Sequence, residues 1–359
     1  MGTIEQTIIN EYRRRHDSFV KFDSFVYEKL EDTISEHDLF LFGISHRVKT
    51  VMSLDEKLGK KKGKYTSLFD ITDLIGFRII TFFSDTVDVI TELLPNLFEI
   101  DKKNSVDKRK NLMATEFGYV SVHYICSLKE EDLENHPEFR GIRFEIQLRS
   151  ALQHAWAEIE HDLGYKSEFG IPIPMRREFS RVAGLLEIAD NQFIELRENI
   201  RRYESDVKDK IRNNMAGDIT LDRVSLREFV TLSKSFNELL EEIKNTTGVE
   251  IQIIDPVNYL ERLSFIKIKT LGDMVDLIEN NREEAMALCI DKLNEMDLDI
   301  TTSNMILRFL CKAEIIRMGY PESFIRKFIG ISVADPDRVE KYVEQYLENS
   351  NTSDDNNYV

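Results

Sequence analysis

The chain has 359 residues, 42% hydrophobic and 10% aromatic, enough to fill about two domain cores and to exclude disorder on compositional grounds. A net charge of −17 excludes a general nucleic-acid binder, and no run approaches the roughly 18 apolar residues of a membrane span. Cys126, Cys289 and Cys311 match no zinc spacing and read as reduced thiols; with an N-terminus lacking an apolar signal core, they point to a cytoplasmic protein with no membrane partner.

Residues 4–37 predict an amphipathic helix, with Ile8, Tyr12, Phe19, Phe22, Val26 and Leu30 at helical spacing. GFRIITF (76–82) predicts a strand. A short helix is expected over 85–98, with Asp85 as its N-cap and Pro95 at its end. Strands are expected at about 118–128 and 141–149, then a long helical tract from Ser150 to about Tyr203. This order predicts a mixed α/β domain over 1–204. The polar stretch 205–220 is expected to be a linker. Beyond it, 225–245 predicts one amphipathic helix, 249–255 a short strand, and the rest of 221–348 a helical domain; the tail 349–359 is expected to be disordered.

Charge is spread unevenly. Residues 216–359 hold 27 acidic and 16 basic residues, whereas Lys57, Lys60, Lys61, Lys62 and Lys64 form one basic cluster and Lys108, Arg109 and Lys110 another. Such clusters suit an anionic small ligand; a solvated surface explains any single one equally well.

The alternation in 142–149 is strict. Ile142, Phe144, Ile146 and Leu148 share one face of a strand, and Arg143, Glu145, Gln147 and Arg149 share the other. A Glu between two Arg also fits a surface ion-pair ladder. The preceding strand presents Tyr119, Ser121 and His123 together on one face, with Gly118 just before them. A ring in the position of Tyr119 can stack a nucleobase, although a half-buried strand tyrosine needs no ligand. Asp73 precedes a β-rich run; paired with Glu145 it would make a magnesium site, and alone it fits a turn cap. Arg47, Lys49, Ser53 and Lys57 are phosphate donors at local spacing, with Ser53 and Lys57 on one helix face. Neither a Walker loop nor a GxGxxG is present, so a nucleotide here would be held by side chains. Along 150–166, His154, Glu158, His161 and Tyr165 fall on a face apart from the apolar stripe, with Ser150 as the N-cap.

In order, the chain carries Arg47-x-Lys49, Asp73-x-x-Gly76-x-Arg78-Ile79, Gly118-Tyr119-x-Ser121-x-His123, Glu145-Ile146-Gln147-x-Arg149 and Glu160-His161-x-x-x-Tyr165-Lys166. Together these resemble the synthetase domain of the RelA/SpoT alarmone enzymes over roughly residues 40–200. The resemblance implies a nucleotidyltransferase-like mixed sheet flanked by helices. It also implies a magnesium-dependent transfer of pyrophosphate from ATP to the ribose 3′-hydroxyl of GDP or GTP. On it, Arg47 and Arg78 sandwich the adenine, and Lys49, Ser53 and Lys57 bind the ATP phosphates. Asp73 and Glu145 hold Mg²⁺, and Glu145 also activates the acceptor hydroxyl. Tyr119 stacks on guanine and His154 contacts its edge. Ser121, His123, Gln147, Arg149, His161 and Lys166 match further positions of the acceptor pocket.

One departure bears on the acceptor. Where the family has a lysine three residues before the Gly-Tyr pair, this chain has Thr115, with Lys108, Arg109 and Lys110 nearby as substitutes. The alternative acceptor is therefore the tRNA 3′ end, as in a toxic subclass of small synthetases. About 40 residues precede the motifs, so no hydrolase activity is expected. The helical C-terminal region is expected to serve regulation, oligomerisation or a protein partner.

Overall fold

The computed structural model describes residues 4–107, 121–165, 173–296 and 298–354. The chain divides into two compact units, Met1–Arg197 and Glu198–Val359.

The first unit begins with helix α1 (Ile4–Glu36), which buries all six of the apolar residues expected on its inner side. There follow β1 (Leu41–Val48), α2 (Val51–Lys60), β2 (Ile75–Thr81), α3 (Ser84–Leu97), β3 (Phe98–Ile100), β4 (Val106–Asp107), β5 (Val122–Leu128), α4 (Glu130–Asn135), β6 (Phe144–Ser150), α5 (Ala151–Tyr165) and α6 (Ile173–Arg212). The strands form one mixed sheet in the order β1-β2-β6-β5-β3, with β4 also on β5. Among the described strands of this sheet, only β2 and β6 run parallel; the other pairs are antiparallel. The expected alternation on β6 is observed: Phe144, Ile146 and Leu148 are buried, and Glu145, Gln147 and Arg149 lie on the other face. Phe144 centres an aromatic cluster, with ring centroids 5.4 Å from Phe22, 5.6 Å from Phe77 and 5.1 Å from Phe98.

Several boundaries differ from expectation for identifiable reasons. Pro95 lies inside α3, not at its end. Only one turn is left there, so the missing N–H costs a single bond, and Phe98 N–H still reaches Leu94 O. Asp85 sits in the first turn of α3 and pairs with Arg197 instead of capping. Ser150 ends β6 and does cap α5: its hydroxyl accepts Gln153 N–H at 3.2 Å, and Gln153 Oε1 accepts Ser150 N–H at 2.9 Å. The segment 205–212, expected within a linker, continues α6, and its Val207 and Ile211 are buried in the second unit's core.

In the second unit the helix expected over 225–245 is two: α7 (Arg223–Leu232) and α8 (Lys234–Thr247), separated by Ser233 in an extended conformation. Then come β7 (Glu250–Gln252), α9 (Leu260–Phe265), α10 (Leu271–Met296), β8 (Ile300–Thr302), α11 (Ser303–Met318), α12 (Glu322–Gly330) and α13 (Pro336–Asp354). β7 and β8 pair in parallel. Gly272 N–H donates to Gly217 O at 2.9 Å; a Cβ on Gly272 would lie 2.8 Å from that oxygen, so the approach requires glycine. Among the described residues, no helix is long and apolar enough to cross a membrane.

Candidate active site

The polar face of the sheet is organised by register. Arg47 on β1 pairs with Gly76 on β2, and Gly76 pairs with Glu145 on β6. A Cβ at Gly76 would meet nothing within 4 Å, so the space between the guanidinium and the carboxylate is open. In the next row Ser45, Arg78, Gln147 and His123 pair in turn across β1, β2, β6 and β5. The rows border a cavity of about 220 Å³ whose wall includes Arg47, Asp73, Arg78, Glu145 and Gln147. Five residues singled out from sequence thus share one cavity.

Asp73 immediately precedes β2. Its carboxylate receives Lys57 Nζ at 2.5 Å and Lys49 Nζ at 3.2 Å. Lys49 follows β1 and Lys57 lies on α2, whose N-cap Thr50 accepts Ser53 N–H. Ser53 is therefore engaged in capping, with its hydroxyl 3.0 Å from that of Thr50. Tyr12 on α1 donates to Lys49 O, which fixes the turn. Burial alone would raise the pKa of Asp73; the hydrogen bond and charge of Lys57, then those of Lys49, outweigh it and hold the carboxyl below the ordinary aspartate value.

Glu145 is held from two sides. His123 Nδ1 lies 2.7 Å from its Oε1, and Gln147 Nε2 donates to its Oε2 at 3.1 Å. Ser121, 6% exposed, places its hydroxyl 2.6 Å from His123 Nε2. Burial raises the pKa of Glu145, but the His123 bond and charge and the Gln147 bond outweigh it, so the carboxyl stays below its ordinary value. The charge of Asp73 acts in the opposite direction, which shows that the two carboxylates feel each other.

On α5, Glu158 accepts Arg78 NH1 at 3.0 Å and lies 3.7 Å from His154 Nδ1. Burial, then the charges of Arg78 and Arg149, lower the pKa of His154 against the pull of Glu158. Burial and Arg78 likewise lower that of Arg149, with Glu158 and Glu145 opposing. His161 is exposed on α5. Tyr119, Lys166, Thr115 and Lys108–Lys110 lie outside the described residues.

Sequence reasoning left out three participants. Ser45 and His46 also line the cavity. His46 Nδ1 meets Asp23 of α1 at 2.5 Å and stacks on Tyr27, 4.4 Å between centroids. Glu158, noted only as one of a helical row, anchors Arg78. The signal for the first two was the strand at 41–48, which a glycine and a histidine conceal.

Among the described residues, no group of three or more His, Cys, Asp or Glu side chains could hold a metal ion. Asp73 and Glu145 nonetheless suit Mg²⁺, which takes one or two carboxylates and completes its shell with water and phosphate oxygens.

Residues 46–169 match the model of the region found in RelA/SpoT proteins. This part of the chain is a RelA/SpoT domain. Two relatives from Bacillus subtilis (strain 168) carry the same kind of sequence. The GTP pyrophosphokinase YjbM is 26% identical over 165 residues, 45% of this chain and 74% of that protein. The GTP pyrophosphokinase YwaC is 28% identical over 160 residues, 43% of this chain and 72% of that protein. The crystal structure of small alarmone synthetase 1 from Bacillus subtilis aligns with a TM-score of 0.45 at 23% identity, covering 54% of this chain and 99% of that one. The RelA/SpoT domain contains Asp73, Glu145 and all the basic residues that border the cavity.

Proposed function

We propose that the chain is a GTP pyrophosphokinase, the name its two Bacillus relatives bear, transferring pyrophosphate from ATP to the 3′-hydroxyl of GDP or GTP. The observation that carries this reading is the pairing of two low-pKa carboxylates, Asp73 and Glu145, on one cavity walled by Arg47 and Arg78. Phosphoryl-type transfer is served by positioning and charge compensation more than by covalent chemistry, and this set of side chains supplies both.

In the proposed step, the ribose 3′-oxygen attacks the β-phosphorus of ATP. The bond from that phosphorus to the α,β-bridging oxygen breaks, and the oxygen leaves with AMP. The proton of the 3′-hydroxyl passes to Glu145, kept ionised and oriented by His123 and Gln147. Arg47 and Arg78 hold the adenine between them, Arg78 being steadied by Glu158. Lys49 and Lys57 turn from Asp73 toward the phosphates of ATP. Asp73 and Glu145 would hold Mg²⁺, whose charge offsets that of the triphosphate. Tyr119 stacks on the acceptor base, with His154, Arg149, His161 and Lys166 completing the acceptor side and Ser121 holding the ring of His123.

The test is incubation of the full chain with Mg²⁺, ATP labelled in its β-phosphate, and either GDP, GTP or bulk tRNA. Label is expected in a guanosine product, with AMP released in equal amount. Label in tRNA and never in a nucleotide overturns the choice of acceptor, a control that Thr115 makes necessary.

A further inference from the structure

The second unit is acidic, yet three of its cations gather over aromatic rings outside any ion pair of the described residues. Several other basic side chains of this unit are paired with carboxylates: Arg223 with Asp255, Arg227 with Glu204 and Glu228, Lys234 with Glu238, Arg282 with Glu242, Lys292 with Glu295, Arg317 with Glu314, and Arg326 with Glu322. Among the described residues, Arg262, Arg308 and Lys312 are in no ion pair. Each lies over an aromatic ring instead. Arg308 and Lys312, one turn apart on α11, stand 5.4 Å and 5.1 Å from the ring centroids of Tyr342 and Tyr346, one turn apart on α13. Arg262 on α9 stands 5.2 Å from Tyr259 and 5.6 Å from Phe328.

These are one cluster, not three. Tyr346 feels the charges of both Arg308 and Arg262, and Tyr259 feels the same two. Arg338, at the start of α13, adds a further cation hydrogen-bonded to Tyr342. A ring face accepts the positive charge of a guanidinium or ammonium but leaves its N–H donors unused. Arg262 Nε is buried without a hydrogen-bond partner. Burial and then the charge of Arg308 lower the pKa of Lys312; Glu284 opposes from α10, and Lys292 adds to the lowering. Glu314, the nearest acid on α11, is already committed to Arg317 and Asn281. Like charges held together over rings, in a unit with 27 acidic and 16 basic residues beyond position 215, form a local positive site, in which Arg262 also hydrogen-bonds Tyr259 through a donor other than its unpartnered Nε.

We infer that Arg262, Arg308 and Lys312 form a binding site for a phosphate chain, either free or as the phosphate arm of a nucleotide. Two guanidiniums and an ammonium supply forked and single donors to phosphate oxygens, and the tyrosine rings set their positions. The site is built wholly within the second unit and does not depend on the catalytic reading of the first.

Isothermal titration of the full chain without Mg²⁺ tests it, with inorganic tripolyphosphate, ATP and GTP as separate probes. The wild type is compared with Arg308→Gln/Lys312→Gln, which keeps the side-chain stems. Tripolyphosphate binding is expected to weaken at least tenfold in the double variant. If only ATP or GTP loses a binding event, the site takes the phosphate arm of a nucleotide. Unchanged affinity and stoichiometry for all three probes overturn the inference. Arg308 is exposed, so Arg308→Glu is expected to keep the fold, which circular dichroism checks, and it should weaken binding in the same direction; tripolyphosphate binding that survives this charge reversal in a folded variant also overturns the inference.

Discussion

His123 Nδ1 lies 2.7 Å from Glu145 Oε1, and Ser121 occupies the ring's other nitrogen at 2.6 Å. The arrangement resembles a serine–histidine–acid triad, but Ser121 is 6% exposed and cannot be reached as a nucleophile. Its use is to fix the ring so that Nδ1 faces the carboxylate. His123→Ala should therefore lower kcat by about a hundredfold, the scale of an angstrom-level misplacement, with the KM for ATP little changed. His123→Asn, which can return a donor to Glu145, should recover part of the loss. Steady-state kinetics of the two variants decide it: equal losses in both, or a change confined to KM, would count against positioning.

Glu145→Gln keeps the shape of the side chain and removes its basicity. Loss of a general base costs about 10²–10⁴-fold in rate. Turnover should fall by that much, while ATP affinity measured by calorimetry without Mg²⁺ stays within about twofold, a difference of roughly 0.4 kcal/mol. A variant turning over at half the normal rate would remove Glu145 from the reaction.

Much of this site was legible from sequence because it rests on strand alternation. On β6, one face of Ile and Phe against another of Glu, Gln and Arg carried the position of Glu145 directly. The meeting of Asp73 with Lys49 and Lys57 was legible only as a set of residue types; that both amines converge on one carboxylate depends on how α2 packs beside β2. β1 was not legible, since Gly43, Ser45 and His46 interrupt any clean apolar alternation, and Ser45 and His46 went with it. The break at Ser233 was hidden because apolar residues continue at helical spacing on both sides of it.

The acid limb of the pH–rate profile follows from the same hydrogen bonds. Glu145 has to be ionised to take a proton, and its folded-state pKa lies below its ordinary value of 4.5. Its contribution to kcat/KM is complete above that value and is lost as pH falls through the lowered one. The rate should be insensitive to Glu145 from pH 8 to about 5.5, about one unit above the unperturbed carboxylate range. His123→Ala, by removing the largest favourable partner, should move the limb upward. Profiles of both enzymes from pH 4 to 8 test this; a downward move would contradict the assigned cause.

Ser150 links the catalytic strand to the helices behind it. It is fully buried at the end of β6, caps α5 through its hydroxyl and donates to Asp190 Oδ2 of α6 at 2.7 Å. Asp190 is itself 2% exposed. Ser150→Ala removes a helix cap, worth about 1 kcal/mol, and a hydrogen bond to a buried charged group, worth about 1.5–3 kcal/mol. The expected loss is therefore about 2.5–4 kcal/mol, whereas Ser150→Thr, which retains the hydroxyl, should lose less. The chain's one tryptophan, Trp156, reports on this region: it is buried on α5, with its ring 5.3 Å from Phe179 on α6. Urea unfolding followed by its fluorescence isolates the transition of these helices from that of the second unit. A shift of less than about 0.5 kcal/mol, the range of ordinary surface substitutions, would show that the Ser150–Asp190 bond does not hold α5 and α6 to the sheet.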